Sequence, residues 1–218
     1  MRPLFLAAAM TLTSLAPAAF AASALAIDDA VAAYESGNLA SARAAFTRLS
    51  RQGLPAADYN LAVMHLRAEL PRASPREALR LMTRAAQAGF VTAIFGLAQL
   101  HEQGQAGLRV DLVEANRWYQ RAADAGSVDG QVAIATAYYL GRGATKDTAL
   151  AARWFRVAAQ GGDVGAMYIY ASMVETGDGV TRDLQEARYW YGAAARNGDE
   201  AAPSKLKALD DLLGPAGS

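Results

Sequence analysis

The chain has 218 residues, of which 53% are hydrophobic and only 8% aromatic, because alanine supplies much of the apolar content. This composition, with just seven prolines, favours closely packed helices, since alanine loses no side-chain entropy in a helix. Basic and acidic residues each total 21. The resulting zero net charge argues against a nucleic-acid ligand and against a polybasic membrane patch.

The N-terminal segment, residues 1–26, predicts a secretory signal peptide. Arg2 is followed by an uncharged run that ends at Ile27, and three A-x-A sites occur between residues 19 and 26. We therefore expect cleavage of this segment and a periplasmic location. The alternative is an uncleaved anchor, because roughly 24 uncharged residues can just span a bilayer, and only this alternative predicts membrane contact. The absence of cysteine excludes disulfides, lipid attachment at cysteine and thiolate metal sites.

Residues 53–197 contain an internal repeat of about 36 residues. Glycines recur at intervals of 36, 37, 36 and 36 residues, at Gly53, Gly89, Gly126, Gly162 and Gly198. Trp118, Trp154 and Trp190 recur at intervals of 36, and Leu81 holds the same position one repeat earlier. An alanine pair precedes each of the last four glycines. Such a fixed register predicts a stack of similar structural units.

Each unit predicts two helices, so the expected fold class is all-α. The second helix begins after a residue whose side-chain oxygen accepts from exposed backbone N–H groups, namely Ser74, Asp111, Asp147 or Asp183. Glutamate follows three positions later in three of the four units, which predicts a reciprocal capping box. The first helix follows the repeat glycine, and we expect it to bury the positions four, eight, nine and twelve residues after that glycine.

This pattern resembles the Sel1-like repeat, a relative of the tetratricopeptide repeat. The best match carries the motif residues Gly177, Gly179, Val180, Asp183, Ala187, Trp190, Ala194 and Ala195. The resemblance implies an α-solenoid, a right-handed superhelix of antiparallel helix pairs. The first unit departs most from the motif, with Leu81 in place of tryptophan and Leu70-Pro71-Arg72 in place of the glycine loop.

Helical segments flank the repeats on both sides. Ala30, Tyr34, Gly37, Ala42 and Phe46 resemble a tetratricopeptide helix pair, and a polar helix before Gly214 suits the end of an open stack. The predicted organisation is a signal peptide (1–26), a tetratricopeptide-like pair (27–52), four repeats (53–88, 89–125, 126–161 and 162–197), a capping helix (198–213) and a tail (214–218).

The first helices also predict a partner-binding groove on the side opposite their buried positions. In related solenoids the first helices line the concave surface, which implies that an extended or helical partner segment lies there. The candidate residues are Tyr59, Val63, Phe95, Gln99, Glu102, Thr136, Tyr139, Tyr168, Ser172 and Glu175. The alternative is that the column of Tyr59, Phe95, Val132 and Tyr168 packs between neighbouring repeats.

No motif predicts a catalytic residue, a metal ligand or a cofactor. His65 and His101 occupy the same repeat position, which indicates packing residues. Ser204 to Lys207 spells S-x-x-K, but the companion motifs of penicillin-recognising enzymes are missing. We therefore predict a non-enzymatic scaffold or adaptor that binds a protein or peptide in the cell envelope and regulates a sensor or an assembly. The alternative, implied by exported Sel1-repeat relatives linked to penicillin binding, is a cell-wall or β-lactam-related hydrolase.

Overall fold

A computed structural model describes residues 17–214 of the chain, with side chains from residue 24 onward. These residues form eleven helices and no strand. The helices are α1 (Pro17–Glu35), α2 (Leu39–Arg51), α3 (Pro55–Leu66), α4 (Pro75–Gln87), α5 (Val91–Gln103), α6 (Leu112–Asp124), α7 (Val128–Leu140), α8 (Thr148–Gln160), α9 (Val164–Thr176), α10 (Leu184–Arg196) and α11 (Ala202–Leu213). Most of the predicted signal peptide and the end of the predicted tail lie outside the described residues.

The chain divides into two compact units, the first ending at Trp118 and the second beginning at Tyr119, so the boundary in sequence falls within α6. In the first unit α2 packs against α1 and α3, and α4 packs against α3 and α5. In the second unit the same neighbour-to-neighbour packing runs from α7 to α11. Contacts between helices that follow one another in sequence are the defining property of a solenoid. The predicted all-α solenoid class is therefore confirmed.

The alanine columns lie where helices pack against each other. The alanine three residues before each tryptophan position is at most 1% exposed at Ala78, Ala115, Ala151 and Ala187. The first alanine of each pair is fully buried at Ala85, Ala122, Ala158 and Ala194. The predicted small and large positions of the first helices are also buried, for example Ala93 and Leu97 on α5. Small side chains let the helices approach, and the larger ones fill the remaining space.

The predicted N-caps are confirmed, but the capping boxes are not. Asp147 Oδ1 accepts from the Leu150 N–H at 2.8 Å, and the other three N-caps accept in the same way. The glutamates bond elsewhere, as Glu77 does with Arg80 at 2.6 Å. Each N-cap's own N–H is already used, because it donates to the preceding helix, at the His101, Tyr138 and Val174 carbonyls and at His65 Nδ1. Because the N-cap N–H already donates to the preceding helix, it is not available to the glutamate side chain that would complete a reciprocal capping box.

The repeat glycines adopt the left-handed conformation that the sequence predicts for a helix terminus, with φ between 82° and 94°. Gly179, in the loop before α10, is constrained further. A Cβ at Gly179 would lie 2.3 Å from the Thr148 carbonyl oxygen, so the loop touches the start of α8. At Gly162, by contrast, a Cβ would meet no atom within 4 Å.

None of the helices among residues 17–214 combines the length and the apolar character that crossing a bilayer requires.

We predict that Gly179→Ala destabilises the second unit more than Gly162→Ala does. Both substitutions place alanine in the left-handed region, at about 1 kcal/mol each. Gly179→Ala also forces Thr148 away, which adds about 1–3 kcal/mol. Urea unfolding of the two variants measures the difference. Equal free energies of unfolding would show that the contact between the loop and α8 is not tight.

Candidate functional site

The predicted groove is wrong at its first two positions. Tyr59 and Val63 are fully buried on α3, so neither reaches a partner in the folded chain. The Tyr59 ring packs against Phe90, with 5.6 Å between the ring centroids. Phe90 immediately precedes α5, so Tyr59 joins one repeat to the next. For Tyr59 the alternative prediction, packing between repeats, is the one that the structure supports.

The remaining groove candidates are half-buried. Phe95, Gln99 and Glu102 lie on α5 in the first unit. Thr136 and Tyr139 lie on α7, and Tyr168, Ser172 and Glu175 lie on α9, all in the second unit. Their partial exposure is compatible with contact to another protein, and their role in binding stays a prediction.

Aromatic contacts hold the α7 and α9 candidates in place. The Tyr168 and Tyr191 rings meet edge to face with centroids 5.2 Å apart, and Tyr139 lies against Phe155 with centroids 6.4 Å apart. Lys146 Nζ lies 5.8 Å from the centroid of the Tyr139 ring. The Asp178 carboxylate raises the pKa of Tyr139 by its charge and by accepting a hydrogen bond. These contacts therefore constrain the orientations of the two tyrosine rings.

Glu175 lies at the centre of a small polar cluster. Its carboxylate accepts from the Tyr191 hydroxyl at 2.7 Å and from Lys205 Nζ at 3.1 Å. Burial alone would raise the pKa of Glu175, but the two hydrogen bonds and the Lys205 charge outweigh it, so the pKa lies below its usual value. Burial and the same carboxylate raise the pKa of Tyr191. The cluster links α9, α10 and α11.

The first unit contains a pocket that no sequence prediction located. It has a volume of about 600 Å³ and is lined by α2, α3, α4 and the loop between α3 and α4. Its charged lining is mainly arginine: Arg43, Arg51, Arg72, Arg80 and Arg84, with Glu77 and His65 beside them. Leu61, Leu70 and Leu81 supply an apolar part of the wall. The pocket is therefore both cationic and apolar.

Buried and half-buried groups fix two of the pocket arginines. Arg84 forms a two-pronged ion pair with Asp58, whose side chain is only 4% exposed, and also donates to Ser50 Oγ at 2.6 Å. Arg80 forms a two-pronged pair with Glu77. His65 Nδ1 accepts the Ser74 N–H at 3.2 Å, and burial lowers the pKa of His65, so the neutral ring carries its proton at Nε2.

The S-x-x-K segment has no catalytic geometry. Ser204 and Lys207 are both exposed on α11. The Ser204 hydroxyl donates to the Ala201 carbonyl at 2.8 Å, and Lys207 Nζ pairs with Asp211 at 2.7 Å. A nucleophile and its base must lie within hydrogen-bond reach of each other. Ser204 instead bonds to the residue that precedes α11, and Lys207 pairs with another residue of α11.

Comparison with known families gives four consecutive matches to the Sel1 repeat, at residues 55–90, 91–127, 128–163 and 164–199. The chain belongs to the Sel1 repeat family. The matched boundaries fall two residues after the predicted ones at each repeat start. No curated protein matches the chain.

Solved structures of Sel1 repeat proteins are similar to the chain. One is a protective antigen present in uropathogenic Escherichia coli strains that displays an SLR fold, with 25% identity, 92% of this chain covered and a TM-score of 0.80. Another is a Sel1 repeat protein from Oxalobacter formigenes, with 32% identity, 78% of this chain covered and a TM-score of 0.73. The chain spans less than half of these proteins, 44% and 49% of their lengths.

The pocket lies where the first Sel1 repeat departs from the other three. In the fourth repeat Trp190 packs on Tyr170 with ring centroids 5.8 Å apart. The first repeat has Leu81 at the tryptophan position, and Leu81 lines the pocket beside Leu61. Leu61 is no departure, since the second and third repeats carry Leu97 and Ile134 at its position. A leucine occupies less volume than a tryptophan, so we infer that Leu81 leaves this space open.

One signal of this pocket was present in the sequence. Residues 43–84 contain eight arginines and three acidic residues, although the whole chain has zero net charge. The zero net charge of the whole chain concealed this local excess of positive charge. The departures from the Sel1 motif at residues 70–72 and at Leu81 were also visible, but sequence alone does not show that the two features meet in one cavity.

We predict that the Glu175 cluster stabilises the chain at neutral pH and loses this effect in acid. A carboxylate whose pKa is lowered on folding stabilises the folded state above its usual pKa of 4.5, and the effect fades as pH falls through the lowered value. The difference in unfolding free energy between the wild type and Glu175→Gln should therefore shrink from about pH 7 to about pH 3. Urea titrations measure it, with the exposed Glu200→Gln as control. A difference that is constant across this range would contradict the assignment.

Proposed function

We propose that the chain is a periplasmic scaffold or adaptor that binds a protein in the cell envelope and regulates a sensor or an assembly. The observation that carries this proposal is the run of four Sel1 repeats over residues 55–199. Sel1 repeat proteins generally mediate protein–protein interactions. A stacked-helix architecture has a large surface for its mass, and such a surface suits partner binding.

The proposed contact surface consists of the half-buried groove candidates of the second unit, Thr136, Tyr139, Tyr168, Ser172 and Glu175. Tyr139 and Tyr168 supply aromatic area whose rings are already held by Phe155 and Tyr191. Fixed aromatic side chains lose little entropy on binding, so they suit anchor positions. Ser172 and Glu175 add polar groups beside them on α9. The partner segment would contact this surface and leave the core unchanged.

The periplasmic location rests on the sequence of the N-terminal segment. Arg2, the uncharged run to Ile27 and the A-x-A sites support recognition by the export machinery. Mass spectrometry of the protein recovered from a periplasmic extract would read its N-terminus directly. A mature protein that starts near residue 27 supports the proposal, and an intact segment in the cytoplasmic fraction contradicts it.

We predict that a photo-crosslinking amino acid placed at Ser172 or Tyr139 of the full chain captures one and the same protein in intact cells. Both positions lie in the proposed contact surface, so a bound partner would be within reach of either probe. Matched probes at Arg153 on α8 and Gln185 on α10, both exposed on second helices, should not capture it. Mass spectrometry of the crosslinked bands identifies the partner.

The pattern of capture decides between outcomes. Capture from Ser172 and Tyr139 but not from the second-helix positions supports both the function and the surface. Capture only from Arg153 or Gln185 keeps the scaffold function and moves the contact surface. Capture from none of the four positions, with circular dichroism showing folded protein, contradicts the scaffold proposal.

A further inference from the structure

Three of the five pocket arginines contact no carboxylate within the described part of the chain. Arg84 pairs with Asp58 and Arg80 pairs with Glu77. For Arg43, Arg51 and Arg72 no acidic side chain of residues 24–214 lies within ion-pair distance. All three side chains line the pocket from α2 and from the loop before α4. The pocket thus holds positive charge that the fold does not neutralise.

Like charges that line one cavity repel each other, and an anion bound between them removes that repulsion. Arginine is well suited to such an anion, because its planar guanidinium donates two parallel hydrogen bonds to a carboxylate or a phosphate. Glu77 is the one acidic residue that lines the pocket, and Arg80 already occupies both of its oxygens. The ligand chemistry indicated is therefore anionic.

The apolar part of the lining narrows the choice of anion. Leu61, Leu70 and Leu81 face the same space as the arginines. A free phosphate or another inorganic ion gains nothing from leucine side chains, whereas a peptide with an aliphatic side chain between acidic ones buries apolar surface there. A volume of about 600 Å³ holds several side chains. A polypeptide fits this combination better than a small ion.

We propose that the pocket binds an acidic segment of a protein partner, with carboxylates at Arg43, Arg51 and Arg72 and an aliphatic side chain against Leu61 and Leu81. This inference rests on the proposed scaffold function and adds to it a site in the first unit with a defined ligand class. The site is specific to the first repeat, because the other repeats carry tryptophan at the position of Leu81.

We predict that the wild-type chain binds a fluorescein-labelled peptide of glutamates around a central leucine. Fluorescence anisotropy should show affinity at least about tenfold above that for the same peptide with glutamine in place of glutamate, since one charge-assisted hydrogen bond accounts for a change of this size. The triple substitution Arg43→Gln, Arg51→Gln and Arg72→Gln should weaken binding of the glutamate peptide by about tenfold or more.

Two controls distinguish peptide binding in the pocket from non-specific electrostatic attraction to the protein surface. The triple substitution Arg48→Gln, Arg76→Gln and Arg109→Gln removes the same charge from exposed positions outside the pocket, and binding should stay within about threefold of wild type. Leu81→Trp leaves the charge unchanged and introduces the side chain of the other repeats, and it should weaken binding by filling the space. Circular dichroism checks that each variant folds. If the pocket triple variant fails to fold, Arg72→Gln in the exposed loop and Leu81→Trp decide the result.

The proposal fails if the wild type does not prefer the glutamate peptide, or if both triple variants lose binding equally. It also fails if tripolyphosphate binds in the pocket while the glutamate peptide does not, since the site would then take phosphate groups. Crosslinking in cells separates this proposal from the scaffold function. A partner captured equally by wild type and by the pocket triple variant keeps the scaffold function and overturns the pocket. If the wild type binds the peptide but captures no partner in cells, the pocket proposal is kept and the scaffold function is overturned.

Discussion

The close approach of neighbouring helices at small side chains is the constraint on which the rest of the structure depends. At Gly130, on the buried side of α7, a Cβ would lie 2.8 Å from Ala122 Cβ and 2.9 Å from the Ala123 backbone nitrogen. Helices this close leave no room for a larger residue at the crossing point. The alanines of every repeat meet the same requirement, which explains why the apolar content of the chain is dominated by its smallest member.

The sequence predicted the features that follow directly from this repeat. Glycine at a helix end and Asp or Ser at a helix start act locally, so their positions fixed the helix boundaries to within about two residues. The sequence did not predict the tertiary contacts between helices. The N–H of Asp147 reaches the Tyr138 carbonyl of the preceding helix, and this tertiary bond replaces the local capping box.

The groove prediction was also incomplete because it did not include tertiary contacts. Helical periodicity correctly placed Tyr168 and Ser172 at the partly exposed side of α9, but it assigned Tyr59 to a surface that is covered near Phe90. Asn60 is a related case. It is fully buried with neither amide atom hydrogen-bonded among the described residues, while later repeats carry Gly96 or an apolar residue at that position. Periodicity averages over repeats, so it conceals what distinguishes the first one.

That first repeat shows how a regular scaffold acquires a particular chemistry. The repeat supplies surfaces of similar shape, and departures from it supply differences in volume and charge. Leucine at the tryptophan position opens space, and the surrounding arginines determine which ligand that space favours. The fold and the candidate site therefore have different origins in the sequence: the fold comes from the residues that recur, and the site comes from the residues that do not.

The most direct test of this account is the free energy of unfolding of Ala158→Leu, measured by urea denaturation beside Ala208→Leu. Ala158 is fully buried at a helix crossing, whereas Ala208 is exposed on α11. If close helix approach holds the repeats together, Ala158→Leu should lose about 1–3 kcal/mol or more while Ala208→Leu stays within about 0.5 kcal/mol of wild type. Equal stability of Ala158→Leu and wild type would contradict the account.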